Sequence, residues 1–164
     1  MKRDTDAVAG PSAIFDDLFA SYRSQLVRQL ALVVGDLAEA EDLAQQAFMR
    51  ASERRPLLST SGDLARWVSV VGMRLAIDER RRRRRWGFLA VRETDQEWAM
   101  TTDPDLWRAL SGLDRKTRAA LVLTVLEGYS QDEVAEVFEV PRGTVASWLS
   151  RGKARLRSEL GGER

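Results

Sequence analysis

Cysteine and histidine are both absent from the 164 residues. Without cysteine there is no disulfide and no thiolate metal site; without histidine the commonest general base and metal ligand is missing. Carboxylates, lysine, tyrosine and serine remain, but they form no recognisable catalytic constellation. The sequence therefore reads as a non-enzyme with no cofactor and no metal. No apolar run approaches the ~20 residues needed to span a bilayer, and Met1 to Pro11 is polar, without the apolar centre of a signal peptide. The expected setting is cytoplasmic, with no membrane partner. Hydrophobic residues make up 44% of the chain, which suits a folded core rather than disorder throughout.

A net charge of +1 conceals an uneven distribution. Residues 74–92 carry eight arginines against two acids, and residues 141–164 carry six bases against two acids. The stretches 1–53 and 93–140 are net acidic. Two basic islands in an acidic chain suit a protein that touches a polyanion at two places and something else in between.

Apolar spacing is helical almost throughout, and no alternating run is long enough for a confident strand. Phe15, Leu18, Phe19, Tyr22, Leu26, Leu30 and Val33 form one stripe, ended by Gly35. A second helix fits Ala38–Arg54 and stops before Pro56. Leu57–Gly62 reads as a loop, with Asp63 as the N-cap of a third helix carrying Leu64, Trp67, Val68, Val71 and Leu75 on its apolar face. That helix runs into six consecutive arginines, Arg80–Arg85. The pattern then fades until Asp103-Pro104, where a helix start is expected. Further helices fit Asp105–Leu110, Asp114–Glu127, Gln131–Phe138 and Arg142–Leu160. The fold class is all-α, with two small helical domains (13–86 and 104–160) joined by a linker (87–103).

The sharpest local signal is near the C-terminus. Ser130-Gln131-Asp132-Glu133 is a capping box. A tight connection through Glu139-Val140-Pro141 then leads to a second helix, for which proline is a good first residue. A short helix, a sharp turn and a helix with basic residues make the helix-turn-helix pattern, whose second helix lies in the major groove. Arg142, Thr144, Ser147, Trp148 and Arg151 fall towards one side, while Val145, Leu149 and Leu156 supply the buried side. Lys153, Arg155 and Arg157 are placed for phosphates. An ordinary amphipathic hairpin with a solvated basic face fits the same pattern. The arginine run likewise reads either as a solvated stretch or as a phosphate-binding surface, since arginine binds phosphate in bidentate fashion. The acidic, polar segment Glu39–Phe48 names no partner by itself.

Together these segments resemble the extracytoplasmic-function (ECF) class of sigma factors in the sigma-70 superfamily. The resemblance is carried by Gly35-Asp36, Glu39-Ala40-Glu41-Asp42-Leu43-Ala44-Gln45-Gln46-Ala47-Phe48, then Leu75-Ala76-Ile77-Asp78-Glu79 with the arginines, then Leu126-Glu127-Gly128-Tyr129-Ser130 and Pro141-Arg142-Gly143-Thr144-Val145. It covers about residues 13–160 with three motifs in register.

The resemblance implies a subunit that directs RNA polymerase core to promoters through their −35 and −10 elements and assists melting. Asp42, Gln45, Gln46 and Phe48 would bind the β′ clamp helices of the core enzyme. Ser61, Asp63, Arg74, Asp78, Arg81 and Arg82 would serve the −10 element, with the loop before the third helix holding a flipped base. Arg142, Thr144, Ser147, Trp148, Arg151, Lys153 and Arg155 would serve the −35 element, beside the β flap. An anti-sigma factor is the expected negative partner. Alternatives are a helix-turn-helix regulator that does not bind core polymerase, or a sigma-like adaptor that binds only a protein.

This chain departs from the family pattern at several positions. Gln46 stands where an acid is usual and Arg74 where asparagine is usual, while Ala146 and Trp148 replace common basic residues. Tryptophan makes no bidentate guanine contact, so an altered −35 preference is expected. Ser52 replaces a usual tryptophan, for which there is no account.

Overall fold

A computed structural model describes residues 11–53, 60–78 and 103–161. The described residues are helical with no strand among them. The first half consists of α1 (Pro11–Val34), α2 (Leu37–Glu53) and α3 (Ser61–Ile77). The second half begins with α4 (Pro104–Ser111) and α5 (Arg115–Leu121), the latter continuing into a π-helical turn, Val122–Leu126. It ends with α6 (Gln131–Phe138) and α7 (Arg142–Leu160).

Local chemistry sets most of the boundaries. α1 stops at Gly35, whose φ of 78° is left-handed and whose amide donates to the Ala31 carbonyl at 2.8 Å. Asp36 then accepts from the Glu39 amide at 2.7 Å and starts α2. Ala40, Ala44, Ala47 and Ala51 are fully buried on α2 and let its backbone approach its neighbours closely. The cap of α3 differs from expectation: Thr60 is the N-cap, not Asp63. Asp63 sits in the first turn, its amide donating to the Thr60 hydroxyl oxygen at 3.0 Å while that hydroxyl donates to its carboxylate at 2.7 Å. This reciprocal pair makes Thr60 the better start, so Ser61 and Gly62, expected in a loop, are helical. Asp103 and Pro104 open α4 as the sequence suggests. The helix expected from Asp114 to Glu127 is instead two pieces, because its last turn is π-helical.

The buried residues of both halves form one contiguous cluster. Leu26, Leu30, Leu43, Val68 and Met73 are fully buried in the first half, and Leu123, Val134 and Val145 in the second. Trp67 is half-buried and packs against this cluster. The two halves meet where α5 lies against α1 and α3, where the π turn touches α1, and where α6 touches α3.

Candidate nucleic-acid interface

The helix-turn-helix begins at Ser130, whose side chain accepts from the Glu133 amide at 3.2 Å while the Glu133 carboxylate accepts from the Ser130 amide at 2.8 Å. These hydrogen bonds, aided by Arg66, hold the Glu133 carboxyl below its ordinary range. α6 ends at Glu139 in the left-handed region, φ 54°. That is an uncommon conformation for a residue with a side chain, and it turns the chain sharply into α7. Pro141 serves as the N-cap of α7 rather than its first residue.

On α7, Val145 and Leu149 are buried as expected, and Leu156 is half-buried. Arg142, Ser147, Arg151 and Lys153 are exposed, and Thr144 is half-buried. Arg142 pairs with Asp132 of α6 at 3.3 Å, and Ser147 donates to the Gly143 carbonyl at 3.0 Å. Two residues expected on the DNA side are placed differently. Trp148 is only 8% exposed and meets the Phe138 ring edge-on at 6.2 Å, so it braces α6 against α7. Arg155 donates from Nε to the Ala109 carbonyl at 3.1 Å and pairs with Glu159, fastening α7 to α4. The departure from a basic residue at position 148 is therefore a change of core packing.

Asp114, the N-cap of α5, lies within the field of Arg151. Burial raises its pKa, but hydrogen bonds from the Thr117 amide and hydroxyl, with the Arg151 charge, outweigh this and leave it below the ordinary 3.8.

On α3, Ser61 is the first helical residue and Asp63 is exposed in the first turn. Asp78 is the C-cap. Arg74 does not project freely: its Nε donates to the Val137 carbonyl of α6 at 2.7 Å. Arg81 and Arg82 lie outside the described residues. On α2, Gln46 donates to Asp42 at 2.8 Å, Gln45 is exposed, and Phe48 is buried edge-on to Phe15 and Phe19. Of the four residues assigned to the polymerase contact, Phe48 supports α2 from within rather than offering a surface. Met49 is exposed beside Gln45 and Gln46.

The seam between the halves holds polar residues to which the sequence motifs assign no role. Arg115 of α5 donates to both carboxylate oxygens of Glu39, at 2.9 and 3.0 Å, and to the Ala76 carbonyl at 3.2 Å. Glu127 accepts from the Tyr22 hydroxyl at 2.9 Å and from the Gln29 amide. Burial first, and then the Glu127 carboxylate, push the Tyr22 phenol well above the ordinary range. Arg66 of α3 pairs with Glu133 and lies 4.1 Å from the Tyr129 ring centre, while the Tyr129 hydroxyl donates to the Arg66 carbonyl at 3.3 Å. Trp107 of α4 covers Gly35 so closely that a Cβ there would lie 2.5 Å from the indole ring. One signal in the sequence pointed this way: Gln29 is an amide set among Leu26, Val27 and Leu30, and it is buried.

A helix-turn-helix whose second helix carries exposed Ser147 and Arg151 has the form of a DNA-reading unit. Comparison with known families narrows this. The family "Sigma-70 region 2" matches residues 18–86, and "Sigma-70, region 4" matches residues 104–156. RNA polymerase sigma factor CarQ of Myxococcus xanthus is 30% identical over 160 residues, covering 93% of this chain and 92% of its own length. ECF RNA polymerase sigma factor SigE of Mycolicibacterium smegmatis is 32% identical over 94% of this chain, which spans 64% of SigE. A solved structure of the sigma factor RpoE in complex with the anti-sigma factor NepR, from Bartonella quintana, superposes with a TM-score of 0.68. It is 22% identical, covers 92% of this chain and 98% of its own, and shows a shared fold. The chain belongs to the ECF class of the sigma-70 family and is a promoter-recognising sigma factor of RNA polymerase.

Proposed function

We propose a division of labour within this sigma factor. The unit at residues 13–86 binds core polymerase and the −10 element, residues 87–103 link, and the unit at 104–160 binds the −35 element. Asp42, Gln45 and Gln46 on the outer side of α2 dock on the β′ clamp helices, with Phe48 fixing the helix from beneath. Ser61, Asp63, Arg74, Asp78, Arg81 and Arg82 serve the −10 strand. Extracting a base from the stack costs a few kcal/mol, which suits coupling to the large polymerase assembly. Arg142, Thr144, Ser147 and Arg151 face the −35 major groove, Lys153 reaches phosphates, and the same unit sits beside the β flap.

One observation carries the reading. Ser147 and Arg151, four residues apart, are exposed on the side of α7 opposite the buried Val145 and Leu149, with Arg142 exposed at the helix start and Trp148 bracing the helix against Phe138 of α6. That is the arrangement a recognition helix requires. The protein acts without catalysis of its own, in the cytoplasm where polymerase works. The anti-sigma factor bound by the Bartonella relative supports an anti-sigma partner for this chain as well.

The test is run-off transcription with purified core polymerase and a genomic promoter library. Specific transcripts that depend on the added protein are expected. If it neither binds core nor yields a transcript, the proposal fails, and a regulator or an adaptor would take its place.

A further inference from the structure

Residues 142–149, the first two turns of α7, contain a single charged side chain, Arg142. The N-terminal residues of a recognition helix are the ones that reach base edges, and guanine O6 and N7 are read in bidentate fashion by arginine or lysine. Arg142 is therefore the one residue of those turns fitted to read a guanine. It works apart from Arg151. Nine residues separate the two, about 13.5 Å along the helix axis and half a turn around it, so they meet different base pairs.

Local stability does not account for Arg142. A cation in the first turn opposes the helix dipole, and its side chain is 67% exposed. Its guanidinium is paired with Asp132 of α6, Nε to Oδ1 at 3.3 Å. So exposed a pair adds little to stability. Asp132 complements the α6 dipole, as an acid in a first turn does, but Glu133 beside it already serves that end within the capping box. On DNA, Asp132 is unwelcome by itself. The first helix of a helix-turn-helix crosses the phosphate backbone, which repels a carboxylate.

One role reconciles these charges. A long, exposed arginine loses rotamer freedom when it is ordered at an interface, and a partner that orders it beforehand lowers that cost. Contact through Nε leaves the Nη1 and Nη2 edge for the base. We propose that Asp132 is a positioning residue, which holds Arg142 ready to read one guanine of the −35 element, at a base pair distinct from that under Arg151. This role rests on the assignment of α7 to the −35 element.

The test uses the full chain assembled with core polymerase, on a promoter from the run-off library with each −35 base pair replaced in turn. Equilibrium binding is measured for wild type, Arg142→Ala, Asp132→Ala and the double variant. Arg142→Ala should lower the preference for one guanine about tenfold. Asp132→Ala should lower it at the same base pair by roughly three- to tenfold, and the double variant should lose no more than Arg142→Ala, as residues acting through one contact do. Arg151→Ala should change the preference at another position. A merely electrostatic Asp132 would instead let Asp132→Ala bind every promoter more tightly, and a merely helix-stabilising one would let it bind all of them more weakly. Either uniform change with the guanine preference intact overturns the positioning role, as do losses at two different positions or losses that add. A wild type that shows no preference at any −35 base pair sinks the −35 assignment itself, and the positioning role falls with it.

Discussion

Arg115 holds Glu39 by two parallel hydrogen bonds, at 2.9 and 3.0 Å, across the seam between the two halves. The side chains are 14% and 21% exposed, so solvent screens this pair far less than it screens the exposed Arg142–Asp132 pair. Removing the guanidinium leaves a carboxylate with its solvation already partly lost. Arg115→Ala is expected to cost about 1–3 kcal/mol, the range for hydrogen bonds to charged groups and their loss, measured as a lower urea midpoint. An unchanged midpoint would show the pair to be stabilising nothing.

Both tyrosines of the chain lie at the same seam, and both phenols are raised above 10.0. Burial leads in each case. Glu127 adds to it at Tyr22, whereas at Tyr129 Arg66 opposes the carboxylates of Glu127 and Glu133. A folded pKa above the unfolded one contributes stability that is complete below the unfolded pKa and is lost as pH rises towards the folded one. Tyrosinate absorbance should therefore appear above pH 10 and in step with the loss of helical circular dichroism. A tyrosine that titrates normally while the helices persist would contradict the buried seam.

Trp148 and Arg151 are three residues apart on α7 yet should respond oppositely to substitution. Trp148→Ala removes a buried aromatic that meets Phe138 and should cost about 3–5 kcal/mol of stability. Trp148→Phe should keep the −35 sequence preference. Arg151→Ala should leave thermal stability nearly unchanged and weaken −35 duplex binding by about 1–3 kcal/mol if it reads a base. Binding titrations on a panel of −35 variants, run at several salt concentrations, separate the two residues. A shifted preference in Trp148→Phe would return that residue to the reading face.

Gly152 marks the close crossing of α7 over α5. A Cβ there would lie 2.8 Å from a Leu121 methyl and 3.1 Å from that of Thr117. Gly152→Leu should destabilise by about 1–3 kcal/mol through overpacking, even though leucine is the better helix former. A raised melting temperature would show that the crossing can yield.

Helices, caps and the helix-turn-helix were legible because they are local. Ser130 with Glu133, Asp103 with Pro104, and Gly35 each announce a boundary within four residues of chain. Asp63 was misread because Thr60, Ser61 and Asp63 are all good caps, and the choice depended on the reciprocal bond that Thr60 forms. Trp148 was misread because a tryptophan beside arginines on a basic helix suits DNA as well as it suits a core. Only the position of Phe138, on another helix, decides between them. The seam was invisible for a deeper reason: Arg115 and Glu39 are 76 positions apart. Each is an ordinary surface charge until the halves are brought together.

The π turn has a consequence for coupling. The Glu127 amide bonds to Val122, five residues back, and the Tyr129 amide bonds to Leu123. Such a turn accommodates one residue more than an α-helix, and each residue rotates the downstream chain by about 100°. It acts as a phase shifter, aiming Glu127 at Tyr22 and Gln29 while Val125 and Leu126 are left 63% and 54% exposed. Deleting a single codon within Val122–Leu126 would retune that angle and uncouple the halves, with every cap and every DNA-facing side chain still encoded.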